Sequence, residues 1–178
     1  MSYQSKNLLL AFDLVVKYHK EAPFVTNPVA IAQLISESCI YDEDIWITAL
    51  LQKTDQEKLP LSKIEELFGE RVKIMIIELS SCKTTLKPLR KKMQIINAKN
   101  MSYGAKCVRL AKTLYKLLSV PSVTDVNYLV WVKALVNNLR GCNLSLEDKI
   151  DLILDEKIPK NYDLSQGLKN YFDSTACV

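Results

Sequence analysis

The chain has 178 residues, of which 48% are apolar and 25% are charged, and its 24 Lys and Arg exceed its 20 Asp and Glu for a net charge of +4. That length and apolar content suit a single globular domain with a sizeable core, and they exclude an intrinsically disordered chain. Only four Gly and six Pro interrupt the sequence, which favours long helices over a β architecture with many turns.

The N-terminal part predicts three helices, because its apolar residues recur at helical spacing. The first helix carries an apolar stripe from Leu8 to Val16. The second starts in the segment 26–28, where Thr or Asn is the N-cap and Pro takes the first helical position. The third starts at Asp42 or Asp44 and runs to Leu51.

The middle of the chain predicts shorter helices. Ser62 and Glu65 have the spacing of a capping box, and Gly69 is a natural C-cap for the same helix. Two further helices are predicted over about 72–79 and 88–98 from their helical periodicity.

The C-terminal part predicts three more helices. Ser102 is a candidate N-cap for a long helix, Gly141 marks the end of the next one, and a capping box opens the short helix 145–156. The stretch after it is assigned no definite element. With no internal repeat and no low-complexity linker, the sequence predicts one all-α domain of about eight to ten helices that spans 1–178.

The sequence also predicts a chain without a membrane anchor or a metal-binding cysteine motif. No apolar run approaches the roughly 20 residues that a spanning helix requires, and Asp13 in the N-terminal stretch favours a helix over a signal peptide. The cysteines are widely spaced and form no C-x-x-C pair: Cys39, Cys82, Cys107, Cys142 and Cys177. We therefore expect reduced thiols, each acting as a small buried hydrophobe, and a cytoplasmic or nuclear location.

Basic residues are concentrated in one segment. Between Lys83 and Lys116 there are ten Lys or Arg and no acidic residue, so the other fourteen basic residues and all twenty acids leave the rest of the chain at −6. Solvated helices usually mix charges of both signs. The segment therefore indicates either an anion-binding face or a surface that is merely basic.

Seven blocks of the sequence resemble a known family in their order and approximate spacing. They are "LLLAFDLVVKYHK", "PFVTNPVAIAQLI", "ALLQKTDQ", "IEELFGERV", "LRKKMQ", "AKCVRLAKTLYKL" and "LVNNLRGCN". These blocks are similar to those of the metazoan SpoT homologues, which are HD-domain hydrolases of the RelA/SpoT family. The resemblance covers about 5–155 and leaves 156–178 as a C-terminal extension of a single HD domain.

The resemblance implies an all-α fold and a defined activity. Members of the family bind a divalent metal, manganese in particular. They remove the 3′-pyrophosphate of guanosine tetraphosphate, and animal members are linked to dephosphorylation of NADPH.

The residues that carry this chemistry in the family are replaced here. Where members read "NHP", this chain has Asn27 in place of the ligand His, and where they read "LLHDTVEDT" it has Gln52 and Lys53 in place of the His-Asp pair. Where they read "KLADKLYNL", Lys112 takes the place of the last ligand Asp. The catalytic Glu-Asp pair of the family falls on Gln56 and Glu57.

This donor set is unsuited to the family's metal. A hard divalent cation needs carboxylate or imidazole donors, and the metal must lower the pKa of its bound water for hydrolysis. Protonated Lys53 and Lys112 offer no lone pair and repel a cation. Moreover, Glu21 alone stands where members carry a basic loop of about nine residues, and the only histidine, His19, matches a family residue that is not a ligand.

Other family positions are retained. The basic "ERKR" block of the family falls on Leu89, Arg90, Lys91 and Lys92, and a tyrosine of the family's pocket falls on Tyr128. A preserved scaffold without its metal ligands is typical of a pseudoenzyme. We therefore expect no metal cofactor and no intact catalytic residue.

Binding without catalysis is the first functional hypothesis. A phosphate-bearing small molecule would be held by Lys53, Lys112 and Lys116, with the basic block 90–92 at the rim. In the alternative, Lys53 and Lys112 only extend to solvent from a collapsed cleft.

Three other hypotheses remain at this level. The chain could be the regulatory subunit of an active paralogue, with an unknown protein partner. It could be a residual hydrolase of guanosine tetraphosphate or NADPH that uses Asp55 and Glu57. Nucleic-acid binding is disfavoured, because the basic helices carry few aromatic residues beyond Tyr103 and Tyr115 and no recognised motif.

Overall fold

The structure, a computed structural model, describes 3–18, 26–54, 59–80, 85–119 and 125–174. These residues form ten helices and no strand, which confirms the predicted all-α fold. The helices are α1 (Tyr3–Tyr18), α2 (Thr26–Glu37), α3 (Glu43–Leu51), α4 (Leu61–Phe68), α5 (Glu70–Leu79), α6 (Lys87–Ala98), α7 (Tyr103–Ser119), α8 (Val126–Asn137), α9 (Leu144–Lys157) and α10 (Leu164–Ser174). No helix of the described part is long and apolar enough to cross a membrane.

Helix α7 is the central element of the larger hydrophobic core. It packs against α2, α3, α5 and α9, so most of its circumference is covered by protein. Gly104 and Ala105 let neighbouring helices approach closely: a Cβ at Gly104 would lie 2.3 Å from Met75 Sδ and 3.0 Å from Ile45 Cγ1. This close packing fixes the position of α7 and of the side chains that it carries.

A second core lies on the other side of α3. It is built from α1, α3, α4 and α5 and includes Ala11, Leu50, Ile64 and Ile76. Helix α3 thus has both of its long faces buried, which explains its nearly continuous apolar sequence. Its end at Gln52 is therefore held by two cores at once.

An aromatic layer joins α8 to α10. The ring centroids of Tyr128 and Trp131 lie 5.8 Å apart, and those of Trp131 and Tyr171 lie 5.7 Å apart. Helix α10, in the C-terminal segment beyond 156, also packs against α6. This layer therefore supports α6, the helix that carries the basic block 90–92.

Several predicted helix ends are confirmed. Asp42 is the N-cap of α3, and its side chain accepts a hydrogen bond from the backbone N–H of Asp44. Ser102 precedes α7, and its Oγ accepts a hydrogen bond from the backbone N–H of Ala105. Gly69 ends α4 with φ 88°, in the region that glycine tolerates best.

Other predicted ends are wrong. The N-cap of α4 is Pro60, without a side-chain cap, because Glu65 is 2.6 Å from Lys73 instead of closing a capping box with Ser62. Helix α8 ends at Asn137, before Gly141, because the chain turns into the α8–α9 connection.

The helix predicted to open with a capping box at 145 begins one residue earlier. Asn143 is the N-cap of α9, and its side chain accepts a hydrogen bond from Leu146 N–H. The residue that caps the start of α9 therefore lies in the tight turn before the helix.

The cysteines of the described part are free thiols. They are Cys39, Cys107 and Cys142. Cys107 is fully buried in the larger core, as expected for a small hydrophobe, and Cys142 is half-buried. Cys39 is exposed, so the expectation of a buried side chain is wrong for that residue. Cys82 and Cys177 lie outside the described residues.

The turn between α8 and α9 depends on one buried carboxylate. Glu147 Oε1 accepts hydrogen bonds from the backbone N–H groups of Gly141, Cys142 and Asn143 at 3.0–3.1 Å. Because α9 packs against α7, this turn supports the helix that carries Lys112. We expect Glu147→Ala to lower the free energy of unfolding by about 2–4 kcal/mol, since three backbone donors lose their partner.

Denaturant unfolding of the purified protein measures this effect. The matched control is Asp148→Ala, which removes a neighbouring exposed carboxylate from the same helix and should change stability by less than about 0.5 kcal/mol. Equal losses in the two variants would contradict the role assigned to Glu147.

Candidate functional site

The four positions that the family resemblance assigns to metal ligands lie on three helices that pack against one another. Asn27 is the second residue of α2, Gln52 is the C-cap of α3, Lys53 follows it, and Lys112 lies in the middle of α7. Helices α2, α3 and α7 are in mutual contact. The fold therefore brings a helix start, a helix end and a helix middle to one junction.

Two amide oxygens at this junction are buried without a partner. They are Asn27 Oδ1 and Gln52 Oε1, and they are the only buried side-chain N or O atoms of the described residues that accept or donate no hydrogen bond. The amide nitrogen of Gln52 is satisfied, since it donates to the carbonyl of Ala49 at 3.2 Å. A buried acceptor without a donor is unfavourable, so both oxygens are suited to a ligand that brings one.

Lys112 is the cation that the structure perturbs most. Its side chain is partly buried, and burial, together with the charges of Arg109, Lys53, Lys91 and Lys116, lowers its pKa to about 7. Arg109 and Lys116 lie one turn before and one turn after it on α7, so helical spacing places them on its side of the helix.

We call Lys53, Lys91, Arg109, Lys112 and Lys116 the cation cluster. None of the ion pairs formed among the described residues includes one of its members. Among the described residues, the cluster is therefore a concentration of positive charge without an ion-pair partner.

Aromatic rings support two members of the cluster. Lys91 Nζ lies 3.9 Å from the centroid of the Trp131 ring, and Lys116 Nζ lies 4.4 Å from that of Tyr128. Burial, with the charges of Lys116 and other cations, lowers the pKa of Lys91 to about 8, and burial also lowers the pKa of Lys116. Each ring face favours the charged amine, and so partly opposes this shift.

Arg109 is the most deeply placed of these cations. Its guanidinium donates a hydrogen bond to the carbonyl of Leu79 at 3.0 Å, and burial lowers its pKa to about 10. It also lines a cavity of about 240 Å³ together with Glu78 and Arg90. Arg109 therefore connects the cluster to the interior face of α6.

The three basic residues at 90–92 on α6 have different surroundings in the structure. Lys91 joins the cluster, whereas Arg90 lines the cavity beside Arg109 and Lys92 lies 5.0 Å from the ring centroid of Phe172 on α10. Tyr128 is buried, and burial raises the pKa of its phenol. The structure thus brings Lys53, Lys91, Lys112 and Lys116 together, and places Tyr128 below Lys116.

Sequence reasoning did not single out Arg109, and through the family resemblance it treated Trp131 only as a scaffold residue. Arg109 had one available signal, which is its position three residues before Lys112 on the same predicted helix. Trp131 had none, because it reaches the cluster through the packing of α6 on α8.

Some predicted positions fall outside the described residues. They are Asp55, Gln56 and Glu57 after α3, together with His19 and the shortened loop around Glu21.

Comparison with known proteins was made by family model, by sequence and by structure. No family model matches the chain. The guanosine-3′,5′-bis(diphosphate) 3′-pyrophosphohydrolase MESH1 of Drosophila melanogaster is 33% identical over 148 residues, which are 78% of this chain and 83% of that protein. The chain belongs to the MESH1 family. Human MESH1 is 27% identical over 175 residues and matches 88% of this chain and 98% of its own length.

Solved structures agree with this membership. A metazoan orthologue of SpoT, reported to hydrolyse ppGpp and to play a role in starvation responses, superposes with a TM-score of 0.79 at 29% identity, covering 88% of this chain and 98% of that one. A Listeria monocytogenes protein superposes with a TM-score of 0.62 at 19% identity, covering 73% and 97% of the two chains, and shows the fold alone. The HD-domain fold expected from the sequence is confirmed.

The described residues of this MESH1-family chain do not fit the family's divalent metal. Two neutral amide oxygens and two amines stand at the four ligand positions, and protonated amines repel a metal ion. Within the described ranges, no group of three or more His, Cys, Asp or Glu could hold a metal ion.

The low pKa of Lys112 predicts a specific dependence of stability on pH. Above about pH 7 the folded state binds fewer protons at Lys112 than the unfolded state, whose lysine titrates near 10.4, so stability rises with pH between these values. We expect Lys112→Met to stabilise the protein below pH 7, and we expect that gain to shrink by about 1–2 kcal/mol between about pH 7 and 9.

Chemical unfolding at several pH values measures the difference between wild type and variant. Lys149→Met, on the exposed side of α9, removes the same charge away from the cluster and is the matched control. A gain from Lys112→Met that stays constant across this pH range would show that Lys112 is ordinarily protonated.

The donor set predicts that the purified protein carries no stoichiometric manganese, zinc or iron. Added manganese should leave the melting temperature unchanged within about 1 °C, because a ligand stabilises only a protein that binds it. Elemental analysis and thermal unfolding check both statements.

A variant that restores the family ligands is the positive control for metal binding. Asn27→His, Gln52→His, Lys53→Asp and Lys112→Asp together should regain a manganese-dependent rise in melting temperature. One equivalent of metal in the wild type, lost in Asp55→Ala or Glu57→Ala, would overturn the prediction.

Proposed function

We propose that this chain is a MESH1-family protein that binds a phosphate-bearing small molecule at the former metal site and does not hydrolyse it. The observation that carries the proposal is the cation cluster, which stands where the resemblance places the metal and has no ion-pair partner among the described residues. No resident metal is part of this proposal.

Electrostatics supports binding of an anion at this place. Two like charges about 10 Å apart repel by roughly 1 to 2 kcal/mol at an effective dielectric constant near 20. An anion between Lys53 and Lys112 would convert this repulsion into attraction. Phosphate is the suitable anion, because its oxygens accept several charge-assisted hydrogen bonds at once.

The buried amides add a second requirement on the ligand. Asn27 Oδ1 and Gln52 Oε1 are acceptors, so they repel phosphate oxygens and favour a donor such as a hydroxyl group. In a phosphate ester of a hydroxylated molecule, the phosphate would pair with the lysines and a hydroxyl group would donate to the amide oxygens.

Hydrolysis is disfavoured because nothing described at the site can activate water. The family's reaction relies on a metal-bound water of lowered pKa, and the amines at 53 and 112 would oppose the binding of that metal. The relatives are named as hydrolases, so residual hydrolysis through Asp55 and Glu57 is the competing function. Release of pyrophosphate from guanosine tetraphosphate by the purified wild type would favour that competitor.

A thermal-shift titration with inorganic phosphate tests the binding proposal. At a concentration about tenfold above a millimolar dissociation constant, phosphate should stabilise the folded state by about 1.4 kcal/mol and raise the melting temperature by about 2–6 °C. The Lys53→Met, Lys112→Met double variant should lose this response.

The double variant Lys149→Met, Lys160→Met is the matched control, because both lysines are exposed and the net charge changes equally. It should respond to phosphate as the wild type does. If the cleft double variant is more stable than wild type in every buffer and phosphate has no effect on either, the cleft is a remnant without a ligand.

A further inference from the structure

We propose that the outer face of α6 is a docking surface for an acidic amphipathic helix of a partner protein, which pairs with α6 as in a two-stranded coiled coil. Lys91, the residue that α6 contributes to the cation cluster, lies on the opposite side of this helix. The inference therefore does not rest on the proposed function, and it adds an interaction surface and the chemistry of its partner.

Helix α6 carries an apolar row on its solvent side. The row starts at the N-cap residue and continues along the helix through Leu86, Leu89, Met93 and Ile96. Each of these side chains belongs to a residue that is between 41% and 77% exposed. A lone exposed leucine is ordinary, but a row along one helix face forms a contiguous apolar surface, which is typical of an interaction site.

The row has the spacing of a coiled-coil seam. Its residues follow one another at intervals of three, four and three, which are the a and d positions of two consecutive heptads. Such a stripe is narrower than the face that a helix turns to a globular core. The other side of α6 provides that core-facing side, since Ile95 packs against the larger core and Ala98 is buried in it. The seam is thus left for a second helix.

Basic residues border the seam at the positions that select a partner helix. Three of the four e and g positions carry a cation, namely Arg90, Lys92 and Lys99. Lys92 and Lys99 are exposed and Arg90 is half-buried, and none of the ion pairs among the described residues includes them. Residues at e and g lie beside those of the facing helix. The seam therefore complements a helix with acidic residues at these positions.

The departure from the family at this helix fits the same partner. The family block "ERKR" falls on 89–92, so Leu89 stands where the resemblance places a glutamate. This replacement adds an exposed apolar side chain to the seam and leaves the stretch from Lys83 to Lys116 without an acidic residue. Both effects favour a partner that is apolar at its centre and acidic at its edges.

The same features disfavour two other occupants. A second copy of this chain would bring its own basic e and g residues against these, and like charges at those positions oppose pairing. A membrane surface favours a helix with a broad apolar face that includes aromatic residues. The seam is restricted to the a and d positions and contains no aromatic residue.

Helix α6 is already formed and held in place, which favours pairing. It packs on α8 and α10, and Trp131 Nε1 donates a hydrogen bond to the carbonyl of Lys91 at 3.3 Å. A free helix of two heptads is marginal in water, but here only the partner has to become ordered on binding. Because a seam of this length buries a small area, we expect a weak and reversible contact.

Synthetic helical peptides of about four heptads are the probes. The acidic peptide carries Leu at a and d and Glu at e and g, and the basic peptide carries Lys at e and g instead. A scrambled peptide has the composition of the acidic one without its heptads. Fluorescence anisotropy of each labelled peptide is followed as the full-length protein is added. We expect the acidic peptide to bind at least about tenfold more tightly than the other two.

Substitutions in the seam test its apolar residues. Leu89→Glu with Ile96→Glu should weaken binding of the acidic peptide about tenfold or more, because charges then lie inside the pairing surface. The matched control is Leu144→Glu with Leu152→Glu, which changes two exposed leucines of α9 by the same charge and should alter binding less than about twofold. The melting temperature of each variant reports whether it is folded.

Charge reversal tests the basic border. Lys92→Glu with Lys99→Glu should shift the preference from the acidic to the basic peptide, since e and g charges choose the partner. Lys149→Glu with Lys160→Glu makes the same charge change at exposed lysines away from α6 and should keep the preference of the wild type.

Four results would overturn the inference. The first is that no peptide binds, and the second is that the scrambled peptide or the Leu89→Glu, Ile96→Glu variant binds as well as its intact counterpart, which would show only attraction between charges. The third is retention on phosphatidylserine vesicles without peptide binding, which would assign the face to a membrane. The fourth is a dimer in sedimentation analysis that the seam variant loses. The phosphate thermal shift tests the proposed function separately, because the seam variant keeps Lys53 and Lys112.

Discussion

Repulsion among the cations gathered around α7, which form no ion pair with any other described residue, is the constraint on which the rest of this structure depends. The cation cluster gathers charges from α3, α6 and α7, and burial makes each charge more costly than it is in water. Such an arrangement persists only if the surrounding packing holds it. The two hydrophobic cores on either side of α3, with the aromatic layer under α6, supply that packing.

The cluster lies at the junction of α2, α3 and α7, where the family resemblance places a divalent cation. Lys53 and Lys112 place two amines in the same region. Asn27 and Gln52 keep their oxygens buried there without a donor. A ligand that brings a hydrogen-bond donor would satisfy these two acceptors.

The fold could be predicted from the sequence to a large extent. Apolar periodicity and a few caps, such as Asp42 and Gly69, identified helices whose ends the structure reproduces. The errors fall where tertiary contacts outweigh local signals. Glu65 pairs with Lys73 on the next helix instead of capping its own, and Glu147 serves the turn before α9.

The sequence by itself determined which residues stand at the family's functional positions, because ordered motifs assign residues without coordinates. Through the family resemblance it therefore predicts that Asn27, Gln52, Lys53 and Lys112 replace the metal ligands. Only the tertiary structure decided which cations act on one another, since the position of α6 is set by its packing on α8 and α10. Arg109 belongs to the cluster, whereas Lys92 lies against the ring of Phe172. The low pKa of Lys112 also depends on the tertiary structure, because burial and the distances between separate helices cannot be read from local sequence spacing.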